Sequence, residues 1–107
     1  MYTPWGESDK VTKIAEGIYD VSTPSHGGIK LSPERANQIP ANVTNFLNQS
    51  RNGYGGNFWW EEDCDWVVPY ILFQDDIKAY GTAYKFQDNL ESAYVIAKRY
   101  HPEIVKA

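Results

Sequence analysis

Lys10-Val-Thr-Lys-Ile-Ala-Glu-Gly-Ile-Tyr-Asp-Val-Ser-Thr23 is the stretch whose reading decides the fold class. Val11, Thr12 and Ile14 precede Gly17, and Ile18, Val21 and Thr23 follow it. Their branched β-carbons are stiff at χ1 and suit pleated backbone. With the glycine as the bend, the stretch predicts a hairpin of two short strands, residues 10–16 and 18–23. Val11, Lys13 and Ala15 would share one face, and Thr12 and Ile14 the other. A third strand is expected at Phe58-Trp59-Trp60, after the Gly- and Asn-rich turn of residues 51–57.

Working outward, the remaining segments read as helices. Ser32-Pro33-Glu34-Arg35 is a helix start: Ser32 can accept backbone N–H bonds, and Pro33 lacks only a donor that would be unpaired there. Pro40 stops that helix, and a second one from Pro40 places Val43, Phe46 and Leu47 on one apolar stripe. Trp66 to Phe73 is apolar on all sides and predicts a buried helix kinked at Pro69. Asp65 is its expected cap, and Glu61, Glu62 and Asp63 gather at the positive end of its dipole. Asp88 with Glu91 predicts a capping box for the last helix. Leu90, Ala93, Tyr94 and Ala97 share one face of it, and His101-Pro102 ends it. The expectation is an α+β fold, a small antiparallel sheet packed by three to four helices. One domain is expected over residues 1–107, loosely held at 1–8 and 102–107, with Trp5 free to dock on the body.

With 42% hydrophobic and 22% charged residues, the chain of 107 is of ordinary globular composition. Its formal charge of −4 argues against gripping a phosphate backbone through general basicity, so direct nucleic-acid binding is not expected. Sixteen aromatics could stack bases, but no basic groove accompanies them. The single cysteine, Cys64, excludes an internal disulfide and a Cys-rich zinc site. No export signal and no membrane span is read from the sequence, which leads to an expected cytoplasmic location.

Two stretches are candidates for chemistry. In Ser25-His26-Gly27-Gly28, a titratable ring stands on a backbone that glycine allows to approach a ligand closely. With acids folded against it, His26 would be a general acid–base or a donor to an anion or nucleotide; otherwise the segment is a tight turn. Cys64 is a poor thiolate partner for His26, because four carboxylates surround it in sequence and raise its pKa. His26 with the acids offers one nitrogen ligand, His101 being far along the chain, so no metal, no cofactor and no catalytic set is expected. Gly53-Tyr54-Gly55-Gly56 lacks the Lys-Ser/Thr step of a phosphate loop and reads as a turn.

Charge is the more informative pattern. Glu61, Glu62, Asp63, Asp65, Asp75 and Asp76 fall in one window without a Lys or Arg, while the rest of the chain holds ten bases against eight acids. Trp59 and Trp60 adjoin the window, and an aromatic anchor beside charge is a frequent interface composition. Trp59, Trp60, Glu61, Glu62, Asp63 and Asp65 are therefore the candidate partner-binding residues, with a solvated helix start and two core tryptophans as the plain alternative.

Val21-Ser-Thr-Pro-Ser-His-Gly-Gly-Ile29, Leu31-Ser32-Pro33-Glu34-Arg35 and Trp60-Glu-Glu-Asp-Cys-Asp-Trp66 together resemble a family of small uncharacterised domains encoded by bacteriophages, plasmids and related mobile elements. The resemblance covers roughly residues 19–73 and carries no catalytic assignment. It implies an accessory protein acting in a bacterial cytoplasm, a setting in which small acidic proteins often inhibit host defence. The leading expectation is thus a non-enzymatic inhibitor that sets its acidic-aromatic surface against a basic surface of a defence nuclease complex, a Cas effector included, as an anti-CRISPR protein would. The alternative is a small enzyme or anion- or nucleotide-binding domain centred on His26, Gly27 and Gly28. A third reading is a structural domain that works as a homo-oligomer.

Overall fold

A computed structural model describes residues 2–40, 42–43, 58–80 and 86–105 of the chain. Among the described residues, two antiparallel sheets and four helices make an α+β fold. The expected hairpin forms as β3, Lys10–Ala15, and β4, Ile18–Ser22. Its bend is Gly17, whose φ of +79° is left-handed and cheap only for glycine. The Gly17 carbonyl accepts from the Ser32 N–H at 2.9 Å, and a β-carbon there would come within 2.7 Å of Ser32 Oγ. The register slips between Lys13 and Ala15, a bulge that brings both Ile14 and Ala15 into the core.

β5, Gly27–Leu31, pairs with β4, and β6, Trp59–Glu61, pairs with β5, giving the order β3-β4-β5-β6. β5 lies where a turn alone was expected. Glycine is poor inside a strand unless something approaches closely, and something does. A β-carbon on Gly28 would collide with the Trp60 carbonyl and stand 2.8 Å from the Trp5 ring. Residues 2–7, expected to be loose, pair as β1, Tyr2–Thr3, with β2, Gly6–Glu7, and carry Trp5 onto the sheet.

Ser32 caps α1, Pro33–Ala36, as its sequence suggests, accepting from the Arg35 N–H at 3.3 Å. The helix expected from Pro40 onward falls largely outside the described residues. α2, Val67–Leu72, is buried almost throughout. Two corrections apply to it. Asp65 is not its cap, because Trp66 occupies that position without a side-chain bond. Pro69 lies within its first turn, where no backbone donor is lost, so it is no interior kink. The chain breaks at Phe73 and continues as α3, Gln74–Tyr80, a helix the sequence reading did not separate. α4, Phe86–Tyr100, buries Leu90, Ala93 and Ala97 and leaves Tyr94 half-buried. It begins before Asp88, which therefore sits exposed in the first turn instead of closing a capping box. Pro102–Ile104, also expected to be loose, forms a 3-10 turn.

One face of the four-stranded sheet carries Ile18, Ile29, Leu31 and Trp60 onto α2, α3 and α4, and this is the main core. The opposite face holds a smaller cluster of Val21 and Trp59 with Trp5, Tyr19 and Phe58. Arg35 ties the far edge together. Its Nε donates to the Glu16 carbonyl at 2.9 Å, its Nη1 meets Asp76 Oδ2 at 2.6 Å, and its guanidinium lies 4.9 Å from the Phe73 ring centre. No described helix is long and apolar enough to cross a membrane.

Candidate functional site

The acidic-aromatic segment does not form the outward surface expected of it. Trp60 is 0% exposed and Trp59 7%, one on each face of β6 and each covered: Trp60 by the helices, Trp59 by Trp5 at 5.7 Å and edge-on. The strand is short, but both its sides face apolar layers, so two consecutive indoles are both interior. Asp65 is buried as well, at 5%. Glu62 and Asp63 are exposed and Glu61 is half-exposed, its Oε1 accepting from the Asp63 N–H at 3.1 Å. Asp76 is taken by Arg35. The six acids of the window therefore serve separate purposes.

Asp65 points inward to His101, the histidine that distance along the chain had set aside. His101 Nε2 lies 2.9 Å from Asp65 Oδ1, and Nδ1 lies 3.3 Å from Glu103 Oε1. With a carboxylate on each ring nitrogen, the protonated imidazolium is favoured. The hydrogen bond to Asp65 raises the His101 pKa most, burial opposes it, and Glu103 adds to the rise. Cys64 Sγ stands 3.8 Å from the same Asp65 oxygen. Burial, and then the charges of Asp65 and Glu61, push the Cys64 thiol up to about 11, so at neutral pH it is a protonated and poor nucleophile. The three residues thus form a structural pin between the start of α2 and the end of α4.

The His26 turn is built by its backbone. Thr23 N–H and Oγ1–H both donate to the His26 carbonyl at 2.7 Å, and the His26 N–H donates back to Thr23 Oγ1 at 3.1 Å. Ser25 Oγ–H donates to the Trp5 carbonyl at 3.4 Å. Ser25 and His26 are exposed at the hairpin tip, while Gly27 and Gly28 are buried in β5. The turn does meet the acidic segment, through strand pairing: Gly28 faces Glu61, and the Glu62 N–H donates to the Gly27 carbonyl at 2.9 Å. Among the described residues no three His, Cys, Asp or Glu side chains converge as metal ligands.

What the fold leaves open is a groove of about 480 Å³ between the sheet and the helices. Its floor is the helix-facing side of the hairpin, Lys10, Thr12 and Asp20, with Ile29 of β5 beside them. Its far wall is Trp66 and Tyr70 of the α2 region and Asn89 of α4. Trp66 stands edge-on to Tyr70 at 5.4 Å. Glu62 completes the rim, its carboxylate lying against the bare Gly27 backbone: a β-carbon on Gly27 would be 3.3 Å from Glu62 Oε2. Asp20 opens to solvent, yet the groove partly desolvates its carboxyl and raises its pKa. Lys10 opposes the rise and the charge of Glu62 adds to it.

Lys10, Thr12, Asp20, Trp66, Tyr70 and Asn89 were not singled out from the sequence, although one signal was present. Asp20 shares a strand face with Ile18, so an acid occurs at a position whose parity points under the helices.

No curated protein and no solved structure matches the chain. The family described as a domain of unknown function, DUF7007, matches residues 1–107, and the chain belongs to that family.

Proposed function

We propose that this DUF7007 domain is a non-enzymatic protein-binding module that receives its partner in the groove between sheet and helices. The observation that carries this reading is the groove itself. It is an open cleft of about 480 Å³ that combines two ring walls with charged and amide side chains, a composition suited to recognition. The nearby thiol and the buried histidine are committed to structure, and at the hairpin tip Thr23 bonds the His26 backbone while Ser25 bonds the Trp5 carbonyl. Compared with the surface expected from the sequence, Glu62 is retained, Trp66 and Asp20 take the place of Trp59 and Trp60, and Asp65 drops out.

The finer part of the proposal is the setting. The domain would be an accessory protein of a phage or plasmid, acting in a bacterial cytoplasm to block a basic surface of a host defence nuclease complex, of which a Cas effector is one kind. The resemblance of residues 19–73 to mobile-element domains and the local excess of acids support it.

Thr12→Trp tests the binding site directly, because Thr12 is exposed and lies on the groove floor. A protein co-purified from bacterial lysate by the wild type should be lost with this variant, while circular dichroism and the thermal midpoint stay unchanged. Retention of the same protein by folded Thr12→Trp would move the site elsewhere. Loss with His26→Ala instead would favour the reading centred on the hairpin turn.

A further inference from the structure

We propose that the group this groove takes from its partner is a basic side chain, an arginine guanidinium, seated between the carboxylates of Asp20 and Glu62 with the Trp66 indole beside it. The inference rests on the groove being the binding site and adds the chemistry of the occupant.

The juxtaposition comes from the sheet. Asp20 is on β4, opposite Ile29 of β5, and Glu62 follows β6, bonded to Gly27 of the same β5. Two strand spacings, about 10 Å, separate the two backbones, and both side chains line the same groove. On the groove side β5 carries no side chain at Gly27, so the sheet is bare beside Glu62. Glycine at 27 also lets the Glu62 carboxylate rest over the sheet. The two acids feel each other, and the result is a partly dry site with like charges facing one opening. Lys10 is on the same floor and offsets one of these charges; the groove keeps a net negative charge.

An incoming cation neutralises the net negative charge left by Asp20, Glu62 and Lys10. A guanidinium does so better than an ammonium, because it is more weakly hydrated, offers five donors in a planar fork and can lie on an indole.

The test uses the intact chain labelled with nitrogen-15 and two blocked tripeptides, acetyl-Gly-Arg-Gly-amide and its neutral citrulline counterpart. The arginine peptide should produce saturable shifts of the Trp66 indole N–H and of the Gly27 and Gly28 amides, and the citrulline peptide should not. Asp20→Asn and Glu62→Gln should each weaken the arginine peptide about tenfold, the scale of one close charge pair in a partly dry site. Added salt should weaken it in the wild type more than in the double variant. No saturable shift, an equal response to citrulline, or unchanged affinity in both variants overturns the inference, as does saturation of the same amides by inorganic phosphate.

The two levels of the proposal fail separately. If the lysate partner is lost with Thr12→Trp but kept by the folded double variant Asp20→Asn/Glu62→Gln, the groove binds protein but not through a basic side chain. If Thr12→Trp also keeps the partner, both readings fall.

Discussion

Asp65 and Asp20 are the same side chain put to opposite uses. Asp65 is inside the protein and is met by His101 at 2.9 Å; Asp20 opens on a groove whose partial dryness disfavours its charge, with Lys10 drawing the carboxylate more than Glu62 repels it. A buried ion with a hydrogen-bonded counter-ion belongs to the fold, because removing either partner strands the other in a poor dielectric. A partly desolvated carboxylate in a half-open cleft, drawn by one lysine and repelled by one glutamate, contributes little to folding that a neutral isostere would lose. The comparison separates charge that holds the molecule together from charge available to something else.

The largest break in that contrast should come from Asp65→Ala. It leaves the His101 imidazole buried beside Cys64 without its main acceptor, and urea titration should show a loss of about 3–5 kcal/mol. Gly28→Ala should cost about 1–3 kcal/mol, since the new β-carbon strikes the Trp60 carbonyl and the Trp5 ring. Displacing Trp5 from the sheet should also red-shift the tryptophan fluorescence.

pH sharpens the comparison further. The His101 pKa is raised on folding, so between its ordinary value of about 6.5 and the raised value the folded state holds a proton that the unfolded state has released. Its stabilisation is complete below the ordinary value and is lost as pH rises through the raised one. Urea midpoints should therefore fall over that window in the wild type, and His101→Gln should flatten the fall.

The smallest effect on stability, and the most telling, belongs to Asp20→Asn. It should leave the urea midpoint unchanged to within about 0.5 kcal/mol, because the partial desolvation that disfavours the charge is set against the attraction of Lys10 in a group open to solvent. A loss comparable to that of Asp65→Ala would erase the distinction between the two aspartates.

How much was legible in the sequence follows the same division between local and distant. The hairpin of β3 and β4 was readable, because branched residues on either side of one glycine specify it within 14 positions. Ser32 as a cap was readable for the same reason. β5 was not, because Gly27 and Gly28 have the composition of a turn, and what makes them a strand is Trp5 lying over one and Glu62 against the other. The acids of residues 61–65 looked like one patch, but alternation along β6 and the turn after it sent Asp65 inward and Glu62 to the groove. The pin between Asp65 and His101 joins residues 36 apart. The groove draws on positions from Lys10 to Asn89, so no local window contains it. Parity along β4 was the one hint, placing Asp20 on the side of Ile18.

The outer strand β3 bears on how these molecules behave together. It ends the sheet with Lys10 and Lys13 on alternate faces and with an irregular step before Ala15. Another chain adding itself there would bring ammonium groups into opposition and would lose its ladder at the bulge. Among the described strands, this edge of the sheet is therefore a bad template for accretion.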